Sequence, residues 1–132
     1  MNKEVTMEHV LNDTDFLVSQ TDSKGKIIFA NEDFCKIAGY TLEELIGQPH
    51  SIVRHPDMPK AAFQDLWETV RSGKVWKGYV KNSTKNGGFY WVFATVYPNI
   101  ECGDSSGGYL SCRRKPSVEE IKKAEELYKT MR

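Results

Sequence analysis

The chain has 132 residues, enough for one domain with one core and too few for two ordinary ones. Eighteen basic and eighteen acidic side chains cancel, which argues against the basic excess of a nucleic-acid binder. No apolar run approaches the roughly 20 residues a membrane helix requires, and the first residues lack the apolar core of a signal peptide. The three widely spaced cysteines, Cys35, Cys102 and Cys112, suit free thiols in a cytoplasmic protein.

Met7, Val10 and Leu11 sit at helical spacing and predict a short N-terminal helix. Phe16–Thr21 and Lys26–Ala30 are β-prone runs around the turn signature Asp22-Ser-Lys-Gly25, so they read as a hairpin. Asn31 is placed to cap a helix over Glu32–Ala38 that stops at Gly39, and Thr41-Leu-Glu-Glu44 is a capping box opening a second short helix closed by Gly47.

His50–Lys60 is polar and held by Pro49, Pro56 and Pro59, which remove backbone donors and restrain their predecessors, so no long regular helix runs through it. It carries Arg54, His55 and Asp57 within four positions, a combination suited to holding polar groups against a phosphate-bearing cofactor. A longer helix follows over Lys60–Ser72, with Phe63, Leu66, Trp67 and Val70 on one face and Gly73 at its end.

The period then changes to two. Trp76–Asn82 and Phe89–Pro98 are strands around Lys85-Asn-Gly-Gly88, Glu101–Gly107 is a polar loop, and Gly108–Arg113 is a further strand. Ser117-Val-Glu-Glu120 is another capping box, opening a helix with Ile121, Ala124, Tyr128 and Met131 on one seam. This order predicts an α+β domain with a single antiparallel five-stranded sheet, short helices on one face, and flanking N- and C-terminal helices.

Alternation puts Lys77, Tyr79, Lys81 and Ser83 in one direction and Trp76, Gly78, Val80 and Asn82 in the other, toward the interior. The inward Asn82 amide must find a partner, either nearby backbone or the edge of a ligand, and Gly78 leaves room for close approach. In the next strand Tyr90, Val92, Ala94 and Val96 alternate with Phe89, Trp91, Phe93 and Tyr97. One set covers the interior; the other awaits either the terminal helices or a partner.

With these residues in this order, the chain resembles a PAS sensor domain over Asp15–Arg113. General marks are Asn31 through Gly39-Tyr-Thr-Leu-Glu-Glu-Leu-Ile-Gly47, and Lys85-Asn-Gly87 followed by Tyr90-Trp91. More specific are His50-Ser-Ile-Val-Arg-His-Pro-Asp-Met-Pro-Lys-Ala-Ala-Phe63, Gly78-Tyr-Val-Lys-Asn82 and Tyr90-Trp-Val92, which resemble the FAD-binding PAS domain of bacterial aerotaxis receptors. The resemblance implies a cap segment at 1–14, the PAS sensor domain at 15–115 and a signalling or linker helix at 116–132. It implies FAD as a redox cofactor, with Asn31, Arg54, His55, Asp57 and Asn82 at flavin-binding positions and Trp67 lining the pocket. The implied partners are FAD and a flanking receptor domain or signalling partner on the outer sheet face at Trp91 and Phe93, with a homodimer left open. No cysteine stands where light-sensing relatives carry one, which argues against adduct photochemistry.

Other readings are a haem-binding domain with His55 or His50 as axial ligand and a ligand-free dimerisation module. No nucleophile and base pair suggests an enzyme, and no ligand spacing suggests a metal site.

Overall fold

The computed structural model describes residues 7–98 and 108–131. The Glu101–Gly107 loop and Cys102 lie outside these residues. Strands β1 (Leu17–Thr21) and β2 (Ile27–Ala30) form the expected hairpin. Helix α1 (Glu32–Ala38) starts at Asn31, whose side chain accepts from Phe34 N, and ends at Gly39 with φ of 83°. Helix α2 (Leu42–Leu45) carries the complete Thr41/Glu44 capping box. The proline-bound stretch contributes only a 3-10 turn at His50–Val53, and α3 covers Lys60–Arg71. Strands β3 (Trp76–Ser83), β4 (Phe89–Pro98) and β5 (Tyr109–Arg114) precede α4 (Val118–Met131).

The sheet is antiparallel throughout, in the order β2-β1-β5-β4-β3. First and last strands therefore meet in its centre, where β1 pairs with β5. Helices α1, α2 and α3 pack on its inner face, where Phe34, Ala38, Leu45, Val70, Tyr90 and Val92 are buried without exposure.

Helix α4 takes the outer face. Trp91 stacks on Tyr128 with centroids 6.4 Å apart and planes at 13°, and Tyr128 Oη donates to the Tyr79 carbonyl at 2.6 Å. The Ser117/Glu120 capping box is formed, and Tyr79 Oη also donates to Glu120. The aromatic outer set is thus covered by the chain's own C-terminal helix at Trp91, while Phe93 lies half-buried between Tyr79 and the Arg114 guanidinium.

The expected N-terminal helix is absent from residues 7–12. Met7 O and His9 N instead exchange hydrogen bonds with Phe89, so the chain runs extended beside the start of β4. A β-carbon on Gly88 would lie 2.5 Å from Met7 O, so only glycine there permits this approach. Leu11 alone of the three apolar positions is buried, and a helix would have sacrificed these sheet bonds for one core contact.

Candidate functional site

Between α3 and the inner sheet face lies a cavity of about 290 Å³, near the low end for small-molecule sites. Its floor is buried: Val80, Asn82, Ala94, Val96, Tyr109, Ser111 and Arg113 from the sheet. Its mouth is exposed and carries Ser23, Lys24, Ser51, Arg54 and Arg71. Trp67 forms one wall, edge-on to Tyr109 at 5.3 Å and packed on Gly25, whose φ of 85° favours glycine. Lys24, Arg54, Arg71 and Arg113 line this space, and among the described residues no carboxylate does. In a chain of net charge zero, that is a strong local imbalance.

Arg113 is the least ordinary member. It is 4% exposed, held by Ser19 Oγ at 2.9 Å and by His50 Nε2 at 2.7 Å, with its guanidinium 5.0 Å from the Phe34 ring centre. Its Nη1 is buried without a hydrogen-bond partner. Burial pushes its pKa down to about 10, so it remains cationic at neutral pH. No carboxylate among the described residues pairs with it. His50 completes the cluster, 3.0 Å from Ser19 Oγ. Burial, then the charge of Arg113, push its pKa down to about 3, so its ring is neutral and accepts from the guanidinium. The residue as a whole is half-buried, and its ring meets the fully buried Phe34 edge-on.

Asn82 is 4% exposed and lines the floor. Its backbone bridges to Arg54, which joins the proline-bound stretch to the edge strand β3. The Tyr90 hydroxyl beside it is buried without a partner in hydrogen-bond geometry. Burial drives that phenol up to about 12, against a weaker opposing pull from Arg113 and the Asn82 side chain.

Of the six candidate residues, the structure brings Arg54, Trp67 and Asn82 to one cavity, with the Arg54 guanidinium 3.9 Å over Phe63 at its mouth. Asn31, His55 and Asp57 lie outside it. The Asn31 amide is occupied with structure: Oδ1 accepts from Val18 N and Phe34 N at 3.0 Å, and Nδ2 donates to Phe16 O at 2.8 Å. His55 Nδ1 accepts from Asp57 N at 3.0 Å, its ring packed on Phe89. Asp57 pairs with Lys81 Nζ at 2.9 Å, on the other side of β3. The space expected at Gly78 is filled by the Trp76 indole: a β-carbon there would lie 2.4 Å from it.

Sequence reasoning missed Arg113 and the Ser19–His50 pair. The available signal was the alternation Tyr109, Ser111, Arg113 against Leu110, Cys112, Arg114, and an apolar-inward rule selects the wrong set. Leu110 is 37% exposed. Among the described residues no cysteine lines the cavity; Cys35 and Cys112, both free, sit elsewhere. Among the described residues no cluster of three or more His, Cys, Asp or Glu is arranged to hold a metal ion, and no helix is long and apolar enough to cross a membrane.

The aerotaxis receptor of Escherichia coli (strain K12) is 50% identical over 121 residues, covering 92% of this chain and 24% of the receptor. A nitrogen fixation regulatory protein of Klebsiella oxytoca is 31% identical over 101 residues, 76% of this chain and 20% of that protein. The chain therefore spans about a quarter or less of these relatives' length. Among solved structures, the light state of the blue-light photoreceptor Aureochrome1 LOV has a TM-score of 0.73 at 16% identity, covering 89% of this chain and 92% of that one. A PAS domain from Colwellia psychrerythraea has a TM-score of 0.64 at 23% identity, covering 78% and 87%. A family model described as PAS fold matches residues 27–104. Sheet order, the helices over the inner face and this match agree, and the chain belongs to the PAS fold family.

Proposed function

We propose that this chain is the sensor domain of a receptor of the aerotaxis type, binding FAD non-covalently and reporting oxygen or energy status through its redox state. The cavity carries the reading: four cationic side chains, no carboxylate, an aromatic wall and a buried amide. A lining of one sign is costly when closed on itself and favours a guest of opposite charge. A space of about 290 Å³ suits a fused aromatic ring system, with its phosphates left at the mouth among Lys24, Arg54 and Arg71. Three cations there favour the diphosphate of FAD over the single phosphate of FMN. The motif resemblance and the 50% identity to an aerotaxis receptor support the same choice.

Within this reading, a bound flavin supplies reversible electron acceptance. Arg113 presents a fixed cation and a spare donor to an acceptor edge, and neutral His50 holds that guanidinium in place. Asn82 offers donor and acceptor together, matching the mixed edge of a pyrimidine-like ring. Trp67 excludes water from the wall. Nothing in this set pairs a nucleophile with a base, and we assign a sensing rather than a catalytic role. A haem is disfavoured, because His50 Nε2 faces Arg113 and Ser19, while His55 lies outside the cavity. Residues 1–14 would act as cap, 15–115 as sensor, and 116–132 as the signalling helix. The receptor-side contact would then fall on α4 and on the row Phe29, Gln20, Leu110 and Tyr97 that α4 leaves uncovered.

Titration of the purified chain with FAD, FMN and haem tests this. Tight uptake of FAD, with flavin absorption bands that bleach on dithionite and return in air, is expected. A colourless protein that takes up no FAD on refolding, or a Soret band, overturns it.

A further inference from the structure

The segment that carries Arg54 into the cavity wall does not end there. Four residues later Met58 is 6% exposed, and its Sδ accepts from Lys81 N at 3.4 Å. Asp57 pairs with Lys81 Nζ at 2.9 Å, and that ammonium lies 4.5 Å over the Phe89 ring. Lys81 and Asn82 are neighbours on β3 and point to opposite faces. Asn82 lines the cavity and bridges to Arg54; Lys81 lies opposite Trp91, which stacks on Tyr128 of α4. A second cavity of about 180 Å³ sits at this junction, bounded by Asp57, Met58, Lys81, Trp91, Glu125, Tyr128 and Lys129.

One short segment therefore touches both faces of the sheet at its free edge. We propose that Arg54–Met58 is a lever that couples occupancy of the large cavity to the seating of α4, with Lys81 and Met58 as positioning residues. Arg54 and Asn82 feel the guest directly. Displacement of Arg54 moves Asp57 and Met58, because prolines at 56 and 59 leave the intervening backbone few soft torsions. Asp57 and Met58 hold Lys81, and the small cavity leaves α4 room to shift against Trp91 rather than being locked by packing. The role assigned to the guest rests on the flavin reading above; the link between cavity wall and helix does not.

The test has a ligand-free arm and a loaded arm, both on the 132-residue chain. Without ligand, Tyr128→Leu removes the stacking on Trp91 and the bond to Tyr79 while leaving the lining of the large cavity intact. It is expected to speed amide exchange at residues 54–58 and at Lys81 by about fivefold, the low end of ordinary site–site coupling. Should helix content fall, Tyr128→Phe keeps the ring, loses only the hydroxyl, and is expected to give about twofold. Unchanged exchange at 54–58 overturns the lever whatever the cavity binds. With FAD at saturation, exchange across α4 is expected to slow by about fivefold, and Tyr128→Leu to weaken FAD binding by the same factor, since coupling is reciprocal. Lys81→Met removes the response of α4 and Lys81→Arg restores it. An undiminished response in Lys81→Met overturns the lever. Failure of the wild type to take up FAD, with exchange at 54–58 still loosened by Tyr128→Leu, rejects the flavin reading and keeps the lever.

Discussion

The two cavities lie against the same edge strand and differ in charge. The larger is lined by four cations and no carboxylate. The smaller has Asp57 and Glu125 against Lys81 and Lys129, around an apolar patch of Met58, Trp91 and Tyr128. A balanced wall neutralises itself, and its void is a seam between packed parts. An unbalanced wall with a buried, partly unpaired guanidinium leaves a charge that a guest must answer. Both are voids of similar scale; under the two proposals above, charge balance separates a binding site from a joint.

Removing the buried cation has the largest expected effect. Arg113→Met should weaken FAD binding by about 100-fold, roughly 2.7 kcal/mol. The thermal midpoint of the ligand-free protein should hold or rise, because a desolvated Nη1 disappears and the Ser19–His50 contact remains. Loss of stability together with affinity would instead make Arg113 a structural residue.

Acid should act through the same cluster. His50 has a folded-state pKa of about 3 against an ordinary 6.5, so below 6.5 the unfolded chain binds the proton that the folded chain refuses. Its contribution is fully present above pH 6.5 and is lost as pH falls toward 3, costing about 2 kcal/mol by pH 5. Urea titrations of wild type and His50→Gln should show the slope in the former and a flatter profile in the latter.

Asn31 lines neither cavity. Asn31→Ala removes the α1 cap and the ties to β1, and should cost about 1–2 kcal/mol in denaturant midpoint analysis. The FAD dissociation constant of the folded variant should stay within about twofold. A selective loss of FAD binding would return Asn31 to the cofactor site.

The smallest effect belongs to the mouth. Arg71 is exposed, with its guanidinium 5.5 Å over the Trp67 ring. Arg71→Ala should weaken FAD by about fivefold and riboflavin hardly at all, since exposed charge pairs are worth little more than this. Equal losses for both ligands would place its role in supporting Trp67 rather than in meeting phosphate.

Legibility followed distance along the chain. The caps at Asn31, Thr41 and Ser117 were readable because a cap is a contact between residues three apart. Arg54, Trp67 and Asn82 were readable from alternation, helical spacing and a motif, and they share one cavity. Asp57 and His55 stood in that same motif but lie outside the cavity, Asp57 on Lys81 and His55 against Phe89, because the chain turns after Arg54. The buried cluster was hidden more deeply: Arg113 and His50 are 63 positions apart, and β5 turns its polar set inward against the usual rule.

By itself, then, the sequence determined the α+β class, nearly every strand and helix, and the inward side of β3 and β4, because these depend on local periodicity, turns and caps. Tertiary structure decided that Arg113 is buried beside His50, that α4 covers Trp91, and that residues 7–9 run extended beside Phe89. The physical reason is common to all three. Each is a contest between distant surfaces for the same space and the same hydrogen-bonding groups, and no local pattern records which partner wins.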